Sequence, residues 1–132
     1  MTPTPLLYQP MRRLAAKVAM EWKYPRQITW CEIVHGRWFA TEDWIGYLIE
    51  GIAQDTVHMH GIGRPGASRV ICAALTAPVL AAAREMGAKR VYQPIRDPAT
   101  GEMRRGLVQL WRRAGWDKED EIGVYLEVPD GR

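Results

Sequence analysis

Between Arg37 and Ile62 the chain holds three strand-like runs, "RWFATED", "WIGYLIEGIA" and "TVHMHGI", joined by connections of a few residues at most. Strands that follow one another so closely pair antiparallel, because a parallel return needs a crossover of roughly a dozen residues or more. The last run alternates polar and apolar residues, as a half-exposed antiparallel strand does. An antiparallel meander is therefore the expected heart of the domain. The preceding run, "ITWCEIVHG", is equally rich in β-branched and aromatic residues and reads as a further strand.

Helical periods flank this meander. From Met11 to about Lys23, apolar Leu14, Ala15, Val18, Ala19 and Trp22 recur at three- and four-residue steps, and "YPRQ" ends the helix. A long apolar helix is expected from Arg69 to about Met86, kinked at Pro78 and closed by Gly87. "KRVYQPI" then reads as a strand, "RDPATGE" as a turn, "MRRGLVQLWRRAG" as a helix closed by Gly115, and "EIGVYLEVP" as the last strand. The fold class is α+β, a mixed and mostly antiparallel sheet flanked by helices. Residues 1–10, with three prolines, form an extended arm, and 11–132 form a single domain.

With 132 residues and 47% hydrophobic content, the chain can bury a core without staples. No stretch approaches the roughly 18 apolar residues of a membrane span. The basic pair Arg12–Arg13 follows the short apolar patch, the wrong order for a secretory signal, so cytoplasmic synthesis is expected. Cys31 and Cys72 lack partners at metal-ligand spacing and read as buried free thiols. Arg104, Arg105, Arg112 and Arg113 form the densest basic cluster, more in keeping with a solvated helix face than with a nucleic-acid site.

"GIGRPG" spells G-x-G-x-x-G at Gly61, Gly63 and Gly66. A dinucleotide loop needs a buried parallel strand before it and an acidic residue at a strand tip about 20 residues onward. Here the strand alternates, and Glu85 lies inside the following helix. The dinucleotide reading fails.

A strand, a Gly/Arg loop, a long helix closed by "AREMGAKRVYQ", then a strand and "LVQLWRRAGW" together resemble the GNAT acyltransferase superfamily, over about residues 28 to 128. The resemblance implies acetyl-CoA held by backbone amides at the start of the long helix, where free N–H groups and the helix dipole meet a diphosphate. It also implies a tyrosine that protonates the leaving thiolate. Both landmarks are altered. Counted back from "AREMGA", the loop glycines are replaced by Val70 and Cys72, and the tyrosine position holds Trp111, whose indole is no acid for that step. Trp111 and Trp116 read as core residues.

A shortened loop could still bind an anion through Gly63, Arg64, Gly66, Ala67, Ser68 and Arg69, or its glycines could simply turn the chain. Tyr92 and Tyr125 are possible substitute acids, and Tyr125, Glu50 and His58 are the candidate catalytic residues. His58 and His60 share a strand face, with no third metal ligand in view, so no metal site is expected. Glu50 otherwise reads as the polar side of an alternating strand.

Six tryptophans stand at 22, 30, 38, 44, 111 and 116. Trp38 and Phe39 adjoin Trp44, so a partner-facing aromatic patch is expected among them, with the proline-rich arm docking on a neighbouring subunit. Compact, loop-degenerate GNAT-like domains occur among tailed-phage virion proteins, and this chain resembles them. That resemblance implies a non-catalytic structural or assembly protein acting through protein–protein contacts, without cofactor and possessing no membrane partner. An acetyl-CoA-dependent N-acetyltransferase with an unusual loop is the alternative, and a basic nucleic-acid-binding domain the third.

Overall fold

A computed structural model describes residues 6–7, 11–24, 27–51, 53–66, 76–93 and 100–129. The elements follow in the order β1 (Leu6–Leu7), α1 (Arg12–Glu21), α2 (Trp30–His35), β2 (Arg37–Ala40), β3 (Trp44–Glu50), β4 (Thr56–Gly63), α3 (Thr76–Glu85), β5 (Arg90–Gln93), α4 (Arg105–Arg113), β6 (Lys118–Glu119) and β7 (Val124–Glu127). The strands form one sheet in the order β1-β2-β3-β4-β5-β7-β6. Every neighbouring pair is antiparallel except β4 with β5. The fold is α+β, with the mostly antiparallel sheet that the short connections required.

Alternation along the strands builds two cores. Phe39, Leu48, Val57, Met59, Val91 and Val124 face α3 and α4, which contribute Val79, Ala82, Ala83, Val108 and Trp111. Trp38, Ala40, Ile45 and Tyr47 point the other way and share a core with Ala15, Ala16 and Ala19 of α1. Three alanines on the inner side of α1 leave room for the large rings of Trp38 and Tyr47, both almost fully buried.

Three expectations are corrected. "ITWCEIVHG" is not a strand, because its centre is α2. The Thr29 hydroxyl accepts from the Glu32 N–H at 3.2 Å while a Glu32 carboxylate oxygen accepts from the Thr29 N–H at 3.1 Å. This reciprocal cap at T-x-x-E starts a helix that the β-branched composition obscured. Second, Trp38 and Phe39 do not form an outward patch. Adjacent strand residues point to opposite faces, both faces are covered, and both side chains are buried. Third, Cys31 is exposed on α2, and Cys72 lies outside the described residues. The expected helix from 69 to 75 also lies outside them, which puts the expected kink at Pro78 at their edge. In the arm, Leu6 and Leu7 pair with Ala40 and Phe39 of the same chain.

Helices α1, α3 and α4 end alike. Ala88 N–H donates to Ala83 C=O at 3.0 Å with Gly87 at φ +78, and Trp116 N–H donates to Trp111 C=O at 3.0 Å with Gly115 at φ +102. Tyr24 N–H reaches Ala19 C=O at 3.1 Å in the same way, but the left-handed residue is Lys23, at φ 65. This closure consumes otherwise orphaned helix carbonyls and favours glycine, which has no Cβ to clash. The two sites should respond oppositely to substitution. Lys23→Gly is expected to stabilise the fold and Gly115→Ala to destabilise it, each by about 1 kcal/mol. Urea unfolding midpoints check both signs.

Candidate functional site

The loop motif begins inside a strand. Gly61 and Gly63 belong to β4, where they continue the face that buries Val57 and Met59. Gly61 pairs with Gly46 and Gly63 with Trp44. The Trp44 indole lies across the two facing glycines, and a Cβ on either Gly46 or Gly61 would fall within the ring. The first glycine of the motif is thus a floor for an aromatic side chain of the same domain. Arg64 is engaged too. Its N–H donates to Asp43 C=O at 2.8 Å, and its guanidinium meets the Asp43 carboxylate at 3.0 and 2.6 Å. Gly66, at φ +79, does make a turn. Ala67, Ser68 and Arg69 lie outside the described residues.

On the opposite face of the sheet, aromatic rings run in a line across five strands, β2, β3, β4, β5 and β7. Trp38 stacks on Tyr47 at 4.5 Å between centroids, and Tyr47 on His60 at 5.3 Å. His58 stands 6.2 Å from His60 and 5.9 Å from Tyr92, which in turn lies 5.1 Å from Tyr125. The Arg90 guanidinium covers the outer side of Tyr125, 4.7 Å from its centroid. Period-two alternation places 38, 47, 58, 60, 92 and 125 on one side. The cross-strand pairs Trp38 with Tyr47, Tyr47 with His60 and Tyr92 with Tyr125 then set them opposite one another.

Each end of the row is tied to a carboxylate. At one end the Tyr47 hydroxyl donates to the buried Glu32 carboxylate of α2, and the Trp38 indole N–H donates to the Glu32 C=O at 3.2 Å. At the other, the Tyr92 hydroxyl donates to Asp120 at 2.5 Å. Burial and the bond to Asp120 raise the Tyr92 pKa, making its phenol a poorer acid than usual. Burial opposes the charge on Asp120, but hydrogen bonds from Tyr92 and from the amides of Ile122 and Gly123 outweigh it and lower that pKa. Between these ends, His58 has its pKa lowered by burial, and its Nε2 has no hydrogen-bond partner among the described residues. The imidazole lies where a side chain on Gly51 would reach, with Nε2 only 3.1 Å from that Cβ position.

The structure therefore brings His58 and Tyr125 into one row with Tyr92 between them. It leaves Glu50 apart, exposed at the end of β3 on the other face. Trp111 packs against Trp116 in the core, with centroids 5.2 Å apart. Arg105 and Arg112 both meet Glu119, at 3.1 and 3.2 Å, so part of the basic cluster is neutralised within the chain. Among the described residues, no three His, Cys, Asp or Glu side chains are placed to share a metal ion, and no helix is long and apolar enough to cross a membrane. Sequence reasoning missed Glu32 and Asp120, and it set Trp44 in a partner-facing patch, where the structure lays it over Gly46 and Gly61. The T-x-x-E spacing was a usable signal for Glu32, whereas the other two depend on strand register.

Two outcomes follow from this geometry. Gly61→Ala should destabilise the domain by about 1–3 kcal/mol through overpacking, and by much less in a Trp44→Ala background, as a double-mutant cycle in urea would read. Protonation of His58 is disfavoured in the folded state, so the unfolded chain binds that proton more readily. Its stabilisation is complete above the ordinary histidine pKa of 6.5 and is lost as pH falls through the lowered folded value. His58→Gln should flatten the stability profile between about pH 5 and 7, above the range where carboxylates titrate. No family model matches the chain, and searches of curated proteins and of solved structures return no match either.

Proposed function

We propose that this chain is a GNAT-like domain that has left acyl transfer and serves as a structural or assembly protein, incorporated in a phage virion and acting through protein–protein contacts. The observation that carries this reading is the use made of the loop entering α3. Gly61 supports Trp44, and Arg64 is paired through both backbone and side chain with Asp43. A diphosphate needs open N–H donors and an uncommitted cation, and the Arg64 N–H and guanidinium are both committed to Asp43. The acid position points the same way, because Trp111 is buried against Trp116.

One observation favours the alternative, an acetyl-CoA-dependent N-acetyltransferase. β4 runs to Gly63, yet among the described residues it pairs with β5 only over Thr56 to His58, beside a histidine whose pKa burial lowers. An extended, amide-bearing chain could lie along the rest of β4 by adding backbone hydrogen bonds. Calorimetric titration with acetyl-CoA separates the two readings. The structural reading expects no heat at micromolar protein and millimolar ligand. Saturable micromolar binding, lost in Ser68→Pro, would move the chain to the enzymes.

A further inference from the structure

Two surface properties converge on α1 and α2. All the large apolar side chains left exposed among the described residues lie there. They are Met11 and Leu14 at the start of α1, Met20 near its end, and Trp30 in α2, which is 61% exposed. The same surface holds the exposed cations Arg13, Lys17 and Lys23, none of which meets a carboxylate among the described residues. Elsewhere Arg37, Arg64, Arg90, Arg105 and Arg112 each reach an acidic side chain, and the exposed Arg84 and Arg113, which meet none among the described residues, have no large exposed apolar side chain on their helices.

The two kinds of residue are interleaved. At about 3.6 residues per turn, Arg13 and Lys17, together with the exposed Glu21, fall between Met20 and Leu14 around the outer side of α1. The Arg13 guanidinium lies 4.7 Å from the Trp30 ring centroid and so joins the two helices. A guanidinium stacked on an indole keeps its in-plane N–H groups free for a carboxylate. Lipid insertion calls for an apolar face segregated from the charges, whereas here Trp30, the most exposed apolar side chain, lies under the Arg13 cation. A surface on which the exposed Arg13, Lys17 and Lys23 outnumber Glu21 beside exposed apolar side chains is complementary to a chain that carries carboxylates beside apolar residues.

We propose that the outer face of α1 and α2 docks an acidic, amphipathic segment of a partner protein. Trp30, Leu14 and Met20 receive its apolar side chains, while Arg13 and Lys17 receive its carboxylates. This rests on the assembly reading for its biological setting but not for its chemistry.

The test uses the full chain and a fluorescein-labelled synthetic peptide of repeated Glu-Leu-Leu-Glu, followed by fluorescence anisotropy at low salt. Saturable binding is expected, weakened about tenfold or more by Trp30→Ala, in line with the cost of removing a central aromatic anchor. The Arg13→Glu, Lys17→Glu double variant should bind no peptide, and added salt should weaken the wild-type complex. Both variants alter exposed residues, and circular dichroism should show both folded. Absence of binding at low salt, or binding indifferent to Trp30→Ala, overturns the proposal. So does displacement of the peptide by phosphatidylserine vesicles or by a DNA duplex at lower concentration, which would assign the face to lipid or nucleic acid. Self-association of the chain that Trp30→Ala abolishes overturns it as well, by making a second copy the occupant. A chain that binds both this peptide and acetyl-CoA loses the assembly reading and keeps the docking face.

Discussion

The pairing of β3 with β4 is the constraint on which the rest of the domain depends. Every residue of β3 has a partner on β4, and the register decides three things at once. It sends Leu48, Val57 and Met59 toward α3 and α4, and it sends Tyr47 and His60 to the other face. It also sets Gly46 opposite Gly61 beneath Trp44. A slip of one residue would turn every side chain to the wrong face and strand the indole over side chains. Two glycines in adjacent strands would ordinarily weaken a sheet, since they pack nothing and lose the most entropy on folding. The indole replaces the missing packing, as aromatic side chains do over glycines elsewhere in β-sheets.

The aromatic row makes the opposite face equally specific. Two of its three tyrosine hydroxyls, those of Tyr47 and Tyr92, are satisfied by carboxylates from outside the central strands, Glu32 from α2 and Asp120 from the β6–β7 turn. A buried phenol without a partner would be costly, so these bonds select where α2 and the β6–β7 turn can sit. His58 is the one member whose buried nitrogen lacks such a bond. Burial holds its pKa below the usual histidine value and so favours the neutral ring.

These features divide the molecule functionally. The sheet and Arg64 are bound up in packing and ion pairs within the domain, whereas the outer side of α1 and α2 carries exposed apolar and cationic groups. The proposed role as an assembly component gives that surface its purpose. The stretch of β4 beyond His58, which has no β5 partner among the described residues, is the place where a different role would have to be lodged.

Local signals in the sequence determined the meander, α1, α4 and the glycines that close α3 and α4, because connection length, helical period and left-handed backbone are properties of short segments. Thr29 and Glu32 were legible in the same way, but β-branched neighbours outweighed them, and the tertiary bonds of Glu32 to Tyr47 and Trp38 reinforced the helix. The parity of His58 and His60 was also legible, though not their neighbours Tyr92 and Tyr125, which arrive from strands more than thirty residues away. Only the folded sheet decided which tryptophans are buried, that Gly61 lies under Trp44, and that Trp30 faces solvent. Those outcomes depend on strand register and on which face each helix covers, and both are fixed by contacts between segments that carry no mark of one another in the chain.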